Sequence, residues 1–193
     1  MTRALVAARS ALGSRDIVLA LPLSQVLVRV LKMPLEVRDD VTDAVALQMD
    51  KLSPFPGEEL SVGCEVLSET ESHLWVFAAA LPAAIFEALG TALDEAHLQA
   101  VRTDVAVLGW LRSLSGPCQL MRDGRRVIVM DPDGSWELAV LDHGVPVLAR
   151  GLGGAASTED VIRELTLSLL NVELDVGVGA VEEVLVVSQQ VPD

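Results

Sequence analysis

From Arg125 to Gly151 the chain runs RRVIVMD, SWELAVLD and VPVLARG, three short β-rich segments separated by PDG and HG. Aspartate and glycine in those gaps tolerate the left-handed backbone of tight turns, so the segments are expected to fold back on one another as an antiparallel meander. The residues that follow narrow the choice. STED at 157–160 has the pattern of a capped helix start, with Val161, Ile162, Leu165 and Leu169 as its expected buried stripe. VEEVLVVS then reads as a final, nearly all-apolar strand, expected to be buried on both faces.

The first half also alternates strands with helices. MTRALVAARSALGSR lacks the long apolar core of a secretory signal and reads as an amphipathic helix. DIVLALP and VLVRVLKMP are strands that each end at proline. A helix with Asp39 or Asp40 as N-cap then carries Val41, Val45, Met49 and Leu52 on one stripe. It stops at SPFP, where Phe55 between two prolines predicts a fixed, packed corner. LSVGCEVLS and HLWVFAAAL form the next strands, with SETES as the turn between them. Pro82 opens a helix with Ile85, Phe86, Leu89 and Leu93 on its apolar side, followed by LQAVRTD as a strand and VAVLGWLRSL as a helix. Both halves therefore predict mixed-sheet α/β lobes.

With 193 residues the chain can bury a real core in one domain or two small lobes. Hydrophobic residues make up 51% of it and aromatics only 3%, so that core must be built from Val, Leu and Ala. No apolar run reaches the roughly 18 residues of a membrane helix, so no direct membrane insertion is expected. A net charge of −14 argues against duplex nucleic acid and anionic lipid as partners and favours a basic partner segment. Cys64 and Cys118 have neither metal-binding nor redox spacing, which points to a reducing cytoplasm.

Motifs for chemistry are sparse. His73, His97 and His143 fall at turns and a helix end, without metal-ligand spacing, so neither a metal site nor a catalytic residue is assigned. Neither a nucleophile elbow nor a P-loop is present. GLGGAA, Gly151 to Ala156, matches a dinucleotide loop, with Asp175 about 20 residues on, but it follows the third strand of a meander and not the first of a βαβ unit. In MDPDGSWEL, Asp131, Gly134 and Ser135 have the chemistry to wrap a phosphate and hold a metal ion; the same residues also make an ordinary turn.

Taken in order, VLALPLSQVLVRVLKMP, KLSPFPGEEL, VLSETESHLWVFAAALPAAIFEALGTAL and VIVMDPDGSWELAVLDHGVPVLARGLGG resemble the PilM family of type IV pilus assembly proteins. The GspL-type cytoplasmic domain of type II secretion is similar in outline. The resemblance implies an actin-like, ribonuclease H-like α/β fold. It divides the chain into 1–114, a first-lobe remnant with a small α+β subdomain inserted at about 23–81, and 115–193, a second lobe opening with the meander. The proline corner would then sit in the inserted subdomain.

The chain opens directly on its first helix, without the first phosphate hairpin of that fold. Asp131 and Gly134 are spaced one residue wider than the family's second phosphate loop, and VVSQQVPD carries no adenosine-binding glycine pair. The resemblance thus implies a non-catalytic scaffold with no required cofactor, located in the cytoplasm and peripheral to the inner membrane. Its partners would be the cytoplasmic tail of a membrane-anchored assembly protein, held in an acidic groove, and the assembly ATPase. The alternative is an ATP-binding actin-like ATPase whose missing motifs lie outside this chain, with ATP and magnesium at Asp131, Gly134 and Ser135, and a dinucleotide at Gly151–Ala156 is a third.

Overall fold

The computed structural model describes residues 2–118, 123–131, 135–153 and 157–188. Helix α1 (Thr2–Leu12) leads into strand β1 (Asp16–Leu21), which lies parallel to β5 (Gln99–Val105) in a two-stranded sheet. Between them in sequence, β2 (Leu27–Pro34), α2 (Val41–Leu52), β3 (Leu60–Glu69) and β4 (His73–Pro82) form a separate unit, an antiparallel sheet of order β2-β4-β3. Helices α3 (Ala83–Glu95) and α4 (Ala106–Ser115) flank β5 in the chain.

The meander of β6 (Arg125–Asp131), β7 (Glu137–Asp142) and β8 (Val145–Gly151) is antiparallel as expected. Helix α5 (Thr158–Val176) then returns the chain to β9 (Val181–Ser188), parallel to β6, giving the order β8-β7-β6-β9. His143 and Gly144 supply the left-handed turn between β7 and β8, at φ 50° and 80°. At the start of α5 the Ser157 side chain accepts the Asp160 N–H at 3.2 Å, as the STED pattern requires.

All three sheets share one core. Leu21 of β1, Phe77 and Leu81 of β4, Leu108 of α4 and Ile128 and Met130 of β6 are buried together. A second cluster places Val45 and Met49 of α2, both fully buried, against Leu74, Val76 and Ala78 of β4. On the far face of the four-stranded sheet, Val127, Val129, Leu138 and Val140 pack against Leu165, Leu169 and Val172 of α5.

The structure corrects five expectations. Phe55 is 47% exposed, so side-chain packing does not fix the proline corner. Hydrogen bonds do: Ser53 N–H donates to the Met49 carbonyl, Phe55 N–H to Ser53 Oγ at 2.9 Å, and Gly57 N–H to Asp50 Oδ1 at 2.7 Å. Asp50→Ala should therefore lower the melting temperature by about 2–4 °C, the effect of one lost hydrogen bond of about 1 kcal/mol in a chain of this size, as a thermal melt will show.

The α2 stripe stops short at Leu52, whereas Asp40 is the N-cap residue as expected, though without a side-chain cap bond. Ile85 and Phe86 of α3, and Ile162 of α5, point outward instead of into the core. Finally, β9 is an edge strand. Leu185 and Val187 reach the shared core, but Val184 and Val186 are more than half exposed.

Candidate functional site

The alternation of β3 places Leu60, Val62 and Cys64 against α2. Its opposite face therefore carries Ser61, Gly63 and Glu65, which stand beside Leu81, Ala79 and Phe77 of β4. Small residues at Gly63 and Ala79 leave space between the larger Leu81 and Phe77. A Cβ built on Gly63 would meet nothing within 4 Å.

That space is one end of a groove of about 760 Å³. Its far wall is β5, backed by Leu108 of α4, and Phe86 of α3 closes one side, which accounts for that residue's place outside the core. Consecutive residues of both strands, 61–65 of β3 and 102–105 of β5, line the space, so their backbones as well as alternate side chains face it. Both are edge strands, each with one side outside any ladder. Unpaired strand edges over an apolar floor are the arrangement that accepts an added strand.

Glu65, Arg102 and Asp104 of the lining form a cluster of four charges with Arg112 of α4. Arg102 pairs with Glu65 at 2.9 Å and with Asp104 at 3.0 Å, and Arg112 pairs with Glu65 at 2.6 Å and Asp104 at 2.9 Å. Asp104 is itself held by the Val105 N–H at 2.9 Å. The hydrogen bonds that Arg112 donates to Glu65 and then to Asp104 raise its pKa further above its already high value, so the guanidinium stays charged. Within this cluster two cations balance two anions.

Asp131 ends β6 beside Ser188 of β9, at the carboxyl ends of two parallel strands. Ser135 lies just before β7, and Gly134 falls outside the described residues. Gly151 packs its backbone against Leu23 and Ser24, and 154–156 lie outside the described residues. Two observations oppose a dinucleotide at that loop. The Ser157 hydroxyl at the start of α5 already donates to the Asp160 carboxylate at 2.8 Å. Asp175 sits near the other end of α5, roughly 27 Å along the helix, and not beside the loop. Among the described residues no cluster of three metal-ligating side chains occurs, and no helix is long and apolar enough to cross a membrane.

Sequence reading missed the groove because its lining comes from six separated elements, β1, β3, β4, α3, β5 and α4. The one usable signal was Gly63, a glycine inside a strand, which often marks a close approach by another chain.

Solved structures share this architecture. The PilM-PilN type IV pilus biogenesis complex matches at 24% identity and a TM-score of 0.67, over 89% of this chain and 55% of that one. The cytoplasmic domain of EpsL, an inner membrane component of the type II secretion system of Vibrio cholerae, matches at 14% and 0.62, over 100% and 69%. A Bacteroides thetaiotaomicron protein with an actin-like ATPase fold and unknown function matches at 14% and 0.52, over 82% and 54%. The chain therefore spans about half the length of the matching chain in the pilus complex. The fold is actin-like, as the sequence resemblance implied. No protein-family profile matches the chain, and no curated protein matches it in sequence.

Proposed function

We propose that this chain is a PilM- or GspL-type scaffold of a type IV pilus or type II secretion platform, and that its groove holds the cytoplasmic tail of a membrane-anchored partner. The observation that carries this reading is a groove with an apolar floor lined by β3 and β5, both edge strands among the described residues. An extended tail laid between them finds backbone donors and acceptors on both sides and apolar contacts beneath. The β2–β4 unit serves as the inserted subdomain in this reading, so the groove lies at its junction with the first lobe. Docking of the assembly ATPase is a further role the reading allows.

The competing reading is ATP binding, favoured by the position of Asp131 at the carboxyl ends of β6 and β9. One titration series separates the two. A peptide of the tail encoded beside this protein should bind with a micromolar Kd, about −8 kcal/mol, while ATP with magnesium gives no heat. Tight ATP binding would restore Asp131 and Ser135 to a phosphate site, and a silent peptide titration would remove the tail-binding role.

A further inference from the structure

We propose that α5 is the interface of a two-fold dimer, its outer face packing antiparallel against the same face of a second copy of this chain. The helix, TEDVIRELTLSLLNVELDV, is apolar on two opposite sides. Val161, Leu165, Leu169, Val172 and Val176 pack onto the four-stranded sheet. Arg163, Leu167, Leu170 and Leu174 follow one another at steps of four, three and four residues, which sets them in a single stripe on the opposite side. That is the spacing of a seam shared by two helices. Leu167 and Leu170 are about half exposed, and Leu174 is 85% exposed. A single exposed leucine is ordinary on a protein surface, but three in one seam call for a cover.

The charges on the helix identify that cover. Arg163 is the only cation of α5 and lies in its second turn, whereas Glu173 and Asp175 flank Leu174 in its last turn. The Arg163 side chain is exposed and pairs with Asp160 at 2.9 Å. Neither the Glu173 nor the Asp175 side chain has an ion-pair partner among the described residues. A second α5 laid antiparallel, with Leu167 opposite Leu170 of the second copy, brings Arg163 opposite Leu174 of the second copy. There the guanidinium stands between two acids and at the negative end of the helix dipole. The two-fold axis repeats the contact at the other end of the seam. Parallel pairing would instead set Arg163 against Arg163 and acid against acid, so the order of charges selects the antiparallel arrangement. Asp160 keeps the Ser157 hydroxyl as a donor when Arg163 turns to the second copy. The seam shares no residue with the groove lining, so the pairing stands apart from the tail-binding reading.

Sedimentation of the full chain at about 0.15 M salt tests the dimer, since repulsion between two chains of net charge −14 is then screened beyond about 8 Å. One short seam is a small interface, so the mass should rise from 20.5 kDa toward twice that value between about 1 and 100 µM. Leu174→Glu should keep the wild-type melt, because the side chain is exposed, and weaken association at least about tenfold. Arg163→Glu should weaken it as well, and adding Glu173→Arg with Asp175→Arg should restore it, because exchanging all the charges preserves the antiparallel match. Leu47→Glu, at an α2 residue more than half exposed, should leave association unchanged. A chain that stays at 20.5 kDa at about 100 µM overturns the dimer, and so does a dimer that Leu174→Glu leaves intact. Association that Arg163→Glu weakens and the charge exchange fails to recover, with every melt intact, overturns the antiparallel arrangement.

Discussion

Arg125→Ala is expected to lower the melting temperature by roughly 6–20 °C, corresponding to about 3–5 kcal/mol in a chain of this size. Arg125 is 4% exposed at the first position of β6. Its Nε donates to Asp142 Oδ1 on β7 at 3.1 Å, while its two terminal nitrogens donate to the Gly177 and Gly179 carbonyls at 3.1 and 3.3 Å. One guanidinium therefore ties β7 and the link from α5 to β9 onto β6. Truncation leaves the Asp142 carboxylate, only 20% exposed, without its cation and removes the donors of two carbonyls on the link from α5 to β9. Arg125→Met combined with Asp142→Leu should recover at least half of the loss, because it removes the partner as well as the cation. A double variant no more stable than Arg125→Ala would show that the carbonyl clamp, and not the ion pair, carries the stabilisation.

The clamp also shows what was legible in the sequence and what was not. Strand and helix order could be read because turn chemistry and apolar period are local: PDG and HG marked the meander, and STED marked the start of α5. Burial depends on distant chain. VEEVLVVS has the composition of a strand buried on both faces, yet it falls at the edge of its sheet, and Val184 and Val186 face solvent. Phe55 has the composition of a packed corner, yet Asp50 and Ser53 hold that corner by accepting backbone hydrogen bonds. Net charge does not locate paired charges either: fourteen excess acids are spread over the whole chain, whereas Arg102 and Arg112 meet Glu65 and Asp104 at particular positions. Asp131 and Ser135 could be picked as candidates from their letters, but their geometry lies in backbone that no local pattern specifies.

Filling the groove at Gly63 is the sharpest separation of binding from folding. Gly63→Ile should weaken the tail peptide by about 10- to 100-fold, the effect of losing the burial of one apolar guest side chain at about 1.5–3 kcal/mol. The melting temperature should hold or rise. Gly63 has ordinary strand backbone and open space where its Cβ would stand, and isoleucine is a better strand former than glycine. By contrast, a Cβ at Gly57 would stand 2.7 Å from Asp50 Oδ1, so a change there would disturb the corner along with any function. Substitution at Gly63 changes only the floor between Leu81 and Phe77. Loss of binding with an intact melt places the guest over that floor. Unchanged affinity in Gly63→Ile would move the tail site off this groove, even if the titration with the wild-type chain had succeeded.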